Sequence, residues 1–294
     1  MTQALGKSWA IGIDLGTANT RVAVFRNDKV EIIPDADGNL NMPSCVSFNS
    51  LSRLIGSPAL SQLAFNPANT VYNVKRLVGR RFEDAEVQAD AKHFPFRLTE
   101  SYGQPIILVE YMCEMKTFTV VEILSMILCR AKENAEAYLG SPVRAAVISF
   151  PPYFPTVDRN TILDAATIAN LKIYHSMPGP CAVAIAYAWR FPSKEERNVL
   201  IFDLGAGTFN TALATIEEGI VEIKAVASDL HLGGEDFVNR IVHDRVNMIK
   251  RMWKKDVTTD SRALRRLRTA CESAMLQLSS AVKHTSPSIP CSQG

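Results

Sequence analysis

Two short strings of one kind stand far apart in this chain. Asp14-Leu15-Gly16-Thr17 and Asp203-Leu204-Gly205-Ala206-Gly207-Thr208 each close an apolar run, and each opens a second β-rich run, Arg21 to Phe25 in the first case and Thr211 to Ile216 in the second. A repeat at this spacing marks a duplicated unit. The residue types have a chemical reason. Glycine lets backbone N–H groups come close to phosphate oxygens and form an anion-binding concavity. Threonine adds a hydroxyl donor, and an aspartate at the strand end can hold a divalent ion through water, as Mg²⁺ prefers. One glycine hairpin after a strand is commonplace. Two at matching places, facing each other, would grip the phosphate chain of a nucleotide from opposite sides. No GxxxxGK[ST] occurs and no GxGxxG opens a helix, which excludes a Walker-type NTPase and a dinucleotide fold.

The rest of the chain supports an α/β architecture. Short β-rich runs Trp9 to Leu15, Arg21 to Phe25, Lys29 to Pro34 and Cys45 to Phe48 predict an antiparallel meander. A more polar stretch, 50–103, predicts a smaller inserted subdomain. Thr119-Val-Val-Glu122 is a capping box, followed by apolar residues at helical spacing until Gly140 offers a C-cap. A strand Arg144 to Phe150, a helix Thr156 to Asn170 and a strand Leu171 to His175 read as a βαβ unit. After a charged boundary at Ser193 to Arg197 the opening pattern returns, with strands Val199 to Asp203, Thr211 to Ile216 and Ile220 to Ala227. Helices from about Glu235 to Trp253 and Ser261 to Lys283 follow. The Ser- and Pro-rich end, 285–294, predicts a disordered tail.

The 294 residues, 47% apolar and 21% charged, with a net charge of +2, describe an ordinary globular chain with no electrostatic reason for a nucleic-acid or anionic-membrane partner. Six scattered cysteines (Cys45, Cys113, Cys129, Cys181, Cys271, Cys291) predict reduced, mostly buried thiols rather than a disulfide framework. The first residues lack a long apolar segment, and no apolar run approaches the ~20 residues that span a bilayer, so the expected location is cytoplasmic. His93, His175, His231, His243 and His284 lack metal-ligand spacing and read as structural or solvated. Arg265, Arg266 and Arg268 read as a solvated helix face.

Five strings carry a family resemblance: Ile11-Gly-Ile-Asp-Leu-Gly-Thr17, Asn69 to Arg80, Ile201-Phe-Asp-Leu-Gly-Ala-Gly-Thr-Phe209, His231-Leu-Gly-Gly-Glu-Asp-Phe237 and Leu264 to Glu272. They resemble the nucleotide-binding domain of the 70-kDa heat-shock chaperones (DnaK type), from about Ala10 to Ser280. The resemblance implies an actin-like, ribonuclease-H-like duplicated two-lobed ATPase fold. It divides the chain into lobe I at 1–192, with an insert at about 43–118, and an incomplete lobe II at 193–284. Such a cut lobe would expose apolar surface. The resemblance also implies ATP or ADP with Mg²⁺ as cofactors. Gly16, Thr17, Ala18 and Asn19 would form the first phosphate loop, and Gly205, Ala206, Gly207 and Thr208 the second. Lys75 would reach the γ-phosphate and attacking water, with Asp203 and Thr208 beside it. Asp14 and Asp203 would serve the metal, Gly233 and Gly234 would approach phosphate, and Glu272 and Ser279, on one helix face, would contact the adenosine. Implied partners are a nucleotide and co-chaperones or exchange factors, with no client-peptide domain.

The departures from the family pattern concentrate at the same site. Where that pattern reads Asp-Leu-Gly-Gly-Gly-Thr-Phe-Asp, this chain has Ala206 and Asn210. Where it reads Asn-Glu-Pro-Thr, this chain has Pro178-Gly179-Pro180-Cys181. Met275 replaces a lysine and Ala18 a threonine. Loss of two acidic groups should harm water positioning more than nucleotide binding, so hydrolysis is expected to be severely reduced. The competing reading is a non-catalytic relative that binds a partner protein. A sugar or glycerol kinase of the same fold fits the chaperone-like strings less well.

Overall fold

The computed structural model describes residues 9–281, so the tail expected at 285–294, His284 and Cys291 lie outside the described residues. The chain opens with strands β1 (Trp9–Leu15), β2 (Asn19–Arg26) and β3 (Lys29–Ile33), then β4 (Met42–Pro43), β5 (Cys45–Phe48) and β6 (Arg53–Ile55). Helix α1 (Ser57–Gln62), strand β7 (Thr70–Tyr72) and helix α2 (Ala85–Ala91) lead to β8 (Arg97–Ser101), β9 (Gln104–Tyr111) and β10 (Glu114–Thr119). Then come α3 (Val120–Leu139), β11 (Val143–Phe150), α4 (Thr156–Ile168), β12 (Lys172–Pro178) and α5 (Gly179–Arg190). The second block holds β13 (Arg197–Leu204), β14 (Phe209–Glu217), β15 (Ile220–Asp229), α6 (Gly234–Trp253) and α7 (Ser261–Leu278).

The first sheet has the order β12-β11-β1-β2-β3, with β4 pairing to β2. Strands β1, β11 and β12 run parallel, as a βαβ connection requires, while β1, β2 and β3 are antiparallel. In the second block β13-β14-β15 form an antiparallel sheet of the same hairpin kind. The expected mixed α/β fold with a duplicated hairpin unit is therefore present.

Several boundaries differ from the sequence reading. Cys45–Phe48 does not extend the meander. All four of its residues are buried, and it pairs with β6 and β7 in a separate three-stranded sheet. Helix α4 stops at Ile168, two residues early, where the Ala169 amide closes back on Ala165 and Asn170 turns left-handed at φ 53°. Strand β12 runs on to Pro178, and α7 ends at Leu278. Helix α3 obeys its signals. The Glu122 amide donates to Thr119 Oγ1 at 3.2 Å, the Thr119 amide donates to Glu122 Oε2 at 2.7 Å, and Gly140 ends the helix left-handed.

The large core joins the first sheet, the insert and the helices that cover them, with Ile11, Ile13 and Leu15 of β1 beside Ile123, Ile127 and Leu128 of α3. A separate small core brings Ala184 of α5 against Ile201, Ala212 and Ala214 of the second sheet. A third, around Val238, Leu267 and Cys271, joins α6 to α7. Among the described residues no helix is long and apolar enough to cross a membrane. The five described cysteines are all unpaired, but only Cys45 and Cys271 are buried and Cys113 is exposed, so the expectation of mostly buried thiols is corrected.

Candidate functional site

The two Asp-Leu-Gly strings fold into the same turn. Gly16 donates its amide to Asn19 O at 3.0 Å, and Gly205 donates its amide to Thr208 O at 2.9 Å, so each turn closes on the sixth residue of its motif. The turns meet face to face, because a Cβ on Gly207 would lie 2.7 Å from Thr17 Oγ1 and only glycine allows that approach. Around this meeting point is a cavity of about 270 Å³. It is lined by Asp14, Gly16, Thr17, Ala18 and Asn19 from the first turn and by Asp203, Gly205, Ala206 and Thr208 from the second.

Lys75 also lines the cavity. It sits on the short 3₁₀ turn Val74–Leu77 and donates through Nζ to Leu15 O. Burial pulls its ammonium below the ordinary lysine range, and the opposing pull comes from Asp14 and then Asp203. One lysine therefore senses both aspartates of the duplicated motif. The solvated-lysine alternative fails.

Four expected site residues lie elsewhere. The amides of Gly234 and Glu235, at the start of α6, donate to Gly205 O at 3.0 Å and Ala206 O at 2.8 Å, and a Cβ on Gly233 would stand 2.3 Å from Ala206 O. Gly233 and Gly234 thus buttress the second turn from behind, outside the cavity lining. Glu272 and Ser279 also lie outside it. Glu272, on α7, has its carboxyl pushed up by burial and by the nearby Glu235. Ser279 caps α7, its hydroxyl donating to Met275 O at 3.1 Å. Met275 reaches toward Gly234, which a Cβ there would meet at 3.5 Å, so α7 approaches the second turn through that residue.

Other residues were not singled out from sequence. Ser149 of β11 donates to Asp14 Oδ1 at 2.9 Å. Arg21 of β2 lines the cavity with its Nη1 3.7 Å from Asp14 Oδ2. Buried Arg76 donates to Asp90 Oδ1 at 3.1 Å and Asp236 Oδ2 at 2.6 Å, and reaches Gly207 O at 3.4 Å, tying the insert to α6 and the second turn. His231 joins that network at 3.2 Å from Asp90 and 3.4 Å from Glu86, a structural place for this histidine. The solvated reading of the arginine cluster is corrected. Arg268 is buried, bonding Asn239 at 2.6 Å and Glu235, and Arg265 stacks 5.3 Å over Tyr72, while Arg266 alone of the three is exposed.

Ala18, Gly179, Ala206 and Asn210, four of the divergent positions, line the same cavity. A Cβ on Gly179 would meet nothing closer than Phe150 O at 4.0 Å, so the space a longer side chain would fill is open. Asn210, buried, turns its Nδ2 to Asp203 Oδ2 at 3.4 Å while its Oδ1 accepts from Ser228 at 2.8 Å. These donors bear on a divalent ion. Among the described residues no three His, Cys, Asp or Glu side chains cluster as ligands. Asp14 already takes Ser149 and faces Arg21, and Asp203 takes the Asn210 amide. With both carboxylates so engaged, the site as built does not fit a resident metal held by Asp14 and Asp203.

Comparison with known proteins agrees with the duplicated turns. The model of the family described as "Hsp70 protein" matches residues 10–292. The chain is 53% identical over 274 residues to "Heat shock 70 kDa protein 2" of Paracoccidioides lutzii, covering 93% of this chain and 42% of that one. It is 54% identical over 274 residues to "Heat shock 70 kDa protein" of Emericella nidulans, with the same coverage. It is 48% identical over 276 residues to "Putative heat shock 70 kDa protein 7" of Homo sapiens, covering 94% of this chain and 75% of that one. The chain thus spans about 42% of the length of the fungal relatives. With both turns of the duplicated motif built and a matching model along nearly its whole described length, the chain belongs to the Hsp70 family.

Proposed function

We propose that this chain is a chaperone-type nucleotide-binding domain that holds ADP or ATP between its two turns and hydrolyses ATP at a severely reduced rate. The observation that carries this is the pair of identically hydrogen-bonded turns facing one cavity, with Lys75 among them. Backbone amides of both turns would cradle phosphate oxygens, and the Lys75 ammonium would offset charge on the terminal phosphoryl group. The adenosine would extend past Ala206 toward Glu272 and Ser279, where Met275 now stands. Hydrolysis needs more than binding, because a water has to be held in line with the scissile bond. The carboxylates that could hold it are missing at Gly179 and Asn210.

Single-turnover hydrolysis of radiolabelled ATP tests this reading. The expected result is a rate far below that of an intact family member, raised by about a hundredfold in the double variant Gly179→Glu, Asn210→Asp. A wild-type rate comparable to an intact family member would sink the claim of impairment. The second reading, a protein-interaction module for a co-chaperone or exchange factor, is favoured by the same two losses. It would replace the first if calorimetry with ADP and ATP showed neither heat nor thermal stabilisation.

A further inference from the structure

The duplicated hairpins share one more position. In the first, strand register sets Arg21 directly opposite Asp14, and in the second it sets Asn210 directly opposite Asp203. Each copy therefore places a nitrogen donor against its own aspartate. From this juxtaposition we propose that Arg21, together with Lys75, supplies the charge neutralisation of a divalent ion, so that this chain binds nucleotide phosphates without metal. The proposal rests on the nucleotide reading above.

Arg21 is arranged for the task. Its Nε donates to Asn41 Oδ1 at 2.6 Å, which anchors the guanidinium and leaves its terminal nitrogens over the cavity. The contact to Asp14 is long, 3.7 Å, and both side chains are about half exposed, so the guanidinium loses little in turning to a phosphate. Its planar fork matches two phosphate oxygens at once, which a lysine ammonium does not. On the opposite wall, the Ser228 hydroxyl donates to Asn210 Oδ1 at 2.8 Å and so decides which end of the amide faces Asp203. The donor end, Nδ2, lies 3.4 Å from Asp203 Oδ2. The four charged side chains of the cavity lining, Asp14 and Asp203 against Arg21 and Lys75, balance without an ion.

Calorimetric titration of the full chain with ADP tests the idea, once in excess EDTA and once in Mg²⁺. The expected dissociation constants agree within about threefold, and Arg21→Ala weakens binding about tenfold or more in EDTA but much less in Mg²⁺. Asn210→Asp, which adds a carboxylate facing Asp203, is expected to make binding depend on Mg²⁺. Wild-type binding seen only with Mg²⁺ would overturn the proposal and leave the nucleotide reading standing. Equal losses for Arg21→Ala in both buffers would overturn the assigned role of Arg21. Absence of binding in both buffers would overturn the nucleotide reading and this proposal with it.

Discussion

Ile11, Ile13 and Leu15 flank Asp14, and Leu200, Phe202 and Leu204 hold the same three places around Asp203. The first three are 2%, 3% and 1% exposed; the second three are 69%, 68% and 42% exposed. The turns, their closing hydrogen bonds and the strand register are shared, so the backbone geometry of the hairpin is not the cause. The cause is what covers each sheet. In the first copy β11 adds in parallel to the open edge of β1, and α3 contributes to one continuous core with it. In the second, β13 is an edge strand among the described residues, and its buried side chain Ile201 faces α5 through the small core around Ala184. Burial of an apolar strand face is thus a property of its tertiary neighbours, and an apolar alternation alone does not say which face is covered.

Matched truncations break this comparison most sharply. Ile11→Ala should cost about 2–5 kcal/mol, since it opens a hole in a packed core. Leu200→Ala, three residues before the second aspartate as Ile11 is before the first, should stay within about 0.5 kcal/mol. Urea denaturation followed by circular dichroism measures both. A loss at Leu200 equal to that at Ile11 would mean the second face is covered in solution. A smaller asymmetry lies in the turns. A Cβ on Gly16 would stand 2.3 Å from Asn19 O, a backbone atom with no way to yield, whereas one on Gly205 would stand 3.3 Å from Thr208 O. Gly16→Ala should therefore cost about 1–3 kcal/mol and Gly205→Ala less than about 1 kcal/mol. Melting temperatures of the two variants rank them, and a larger loss at Gly205 would show that the two turns are not equivalent in solution.

Much of the first block was legible because its signals are local. The apolar run Trp9 to Leu15 is bounded by Gly16, and the box at Thr119 and Glu122 sets the start of α3 without reference to anything distant. The sheet membership of Cys45–Phe48 was not legible, since its partners Arg53–Ile55 and Thr70–Tyr72 are three residues each and one lies far along the chain. At the site, the repeat and the family strings pointed to both turns and to Lys75. They did not point to Ser149, which comes from a parallel neighbour strand, or to the burial of Arg268, which depends on α6 packing against α7. Arg21 was within reach. It follows Asp14 by the same interval that separates Asn210 from Asp203, and hairpin register after a turn of equal length puts both opposite their aspartates. Gly233 and Gly234 show the opposite case, because a glycine pair before a helix reads alike whether the amides there face a ligand or, as those of Gly234 and Glu235 do, the carbonyls of Gly205 and Ala206.

The smallest expected effect compares the two aspartates through the lysine between them. Burial depresses the Lys75 ammonium, and Asp14 opposes that depression more strongly than Asp203 does. The sign follows from linkage. A lysine whose folded pKa lies below its unfolded value binds fewer protons when folded, so folding stability rises as pH climbs from the folded pKa toward the ordinary lysine range. Removing an opposing carboxylate charge lowers the folded pKa further, and Asp14→Asn should do so more than Asp203→Asn. The neutral amine is the reactive form, so the pH midpoint for modification of Lys75 by an amine reagent, followed by peptide mass spectrometry, should move down in both variants and further in Asp14→Asn. A reversed ranking would place Lys75 closer to the second turn than to the first, and an unmoved midpoint in both variants would mean that neither aspartate faces it.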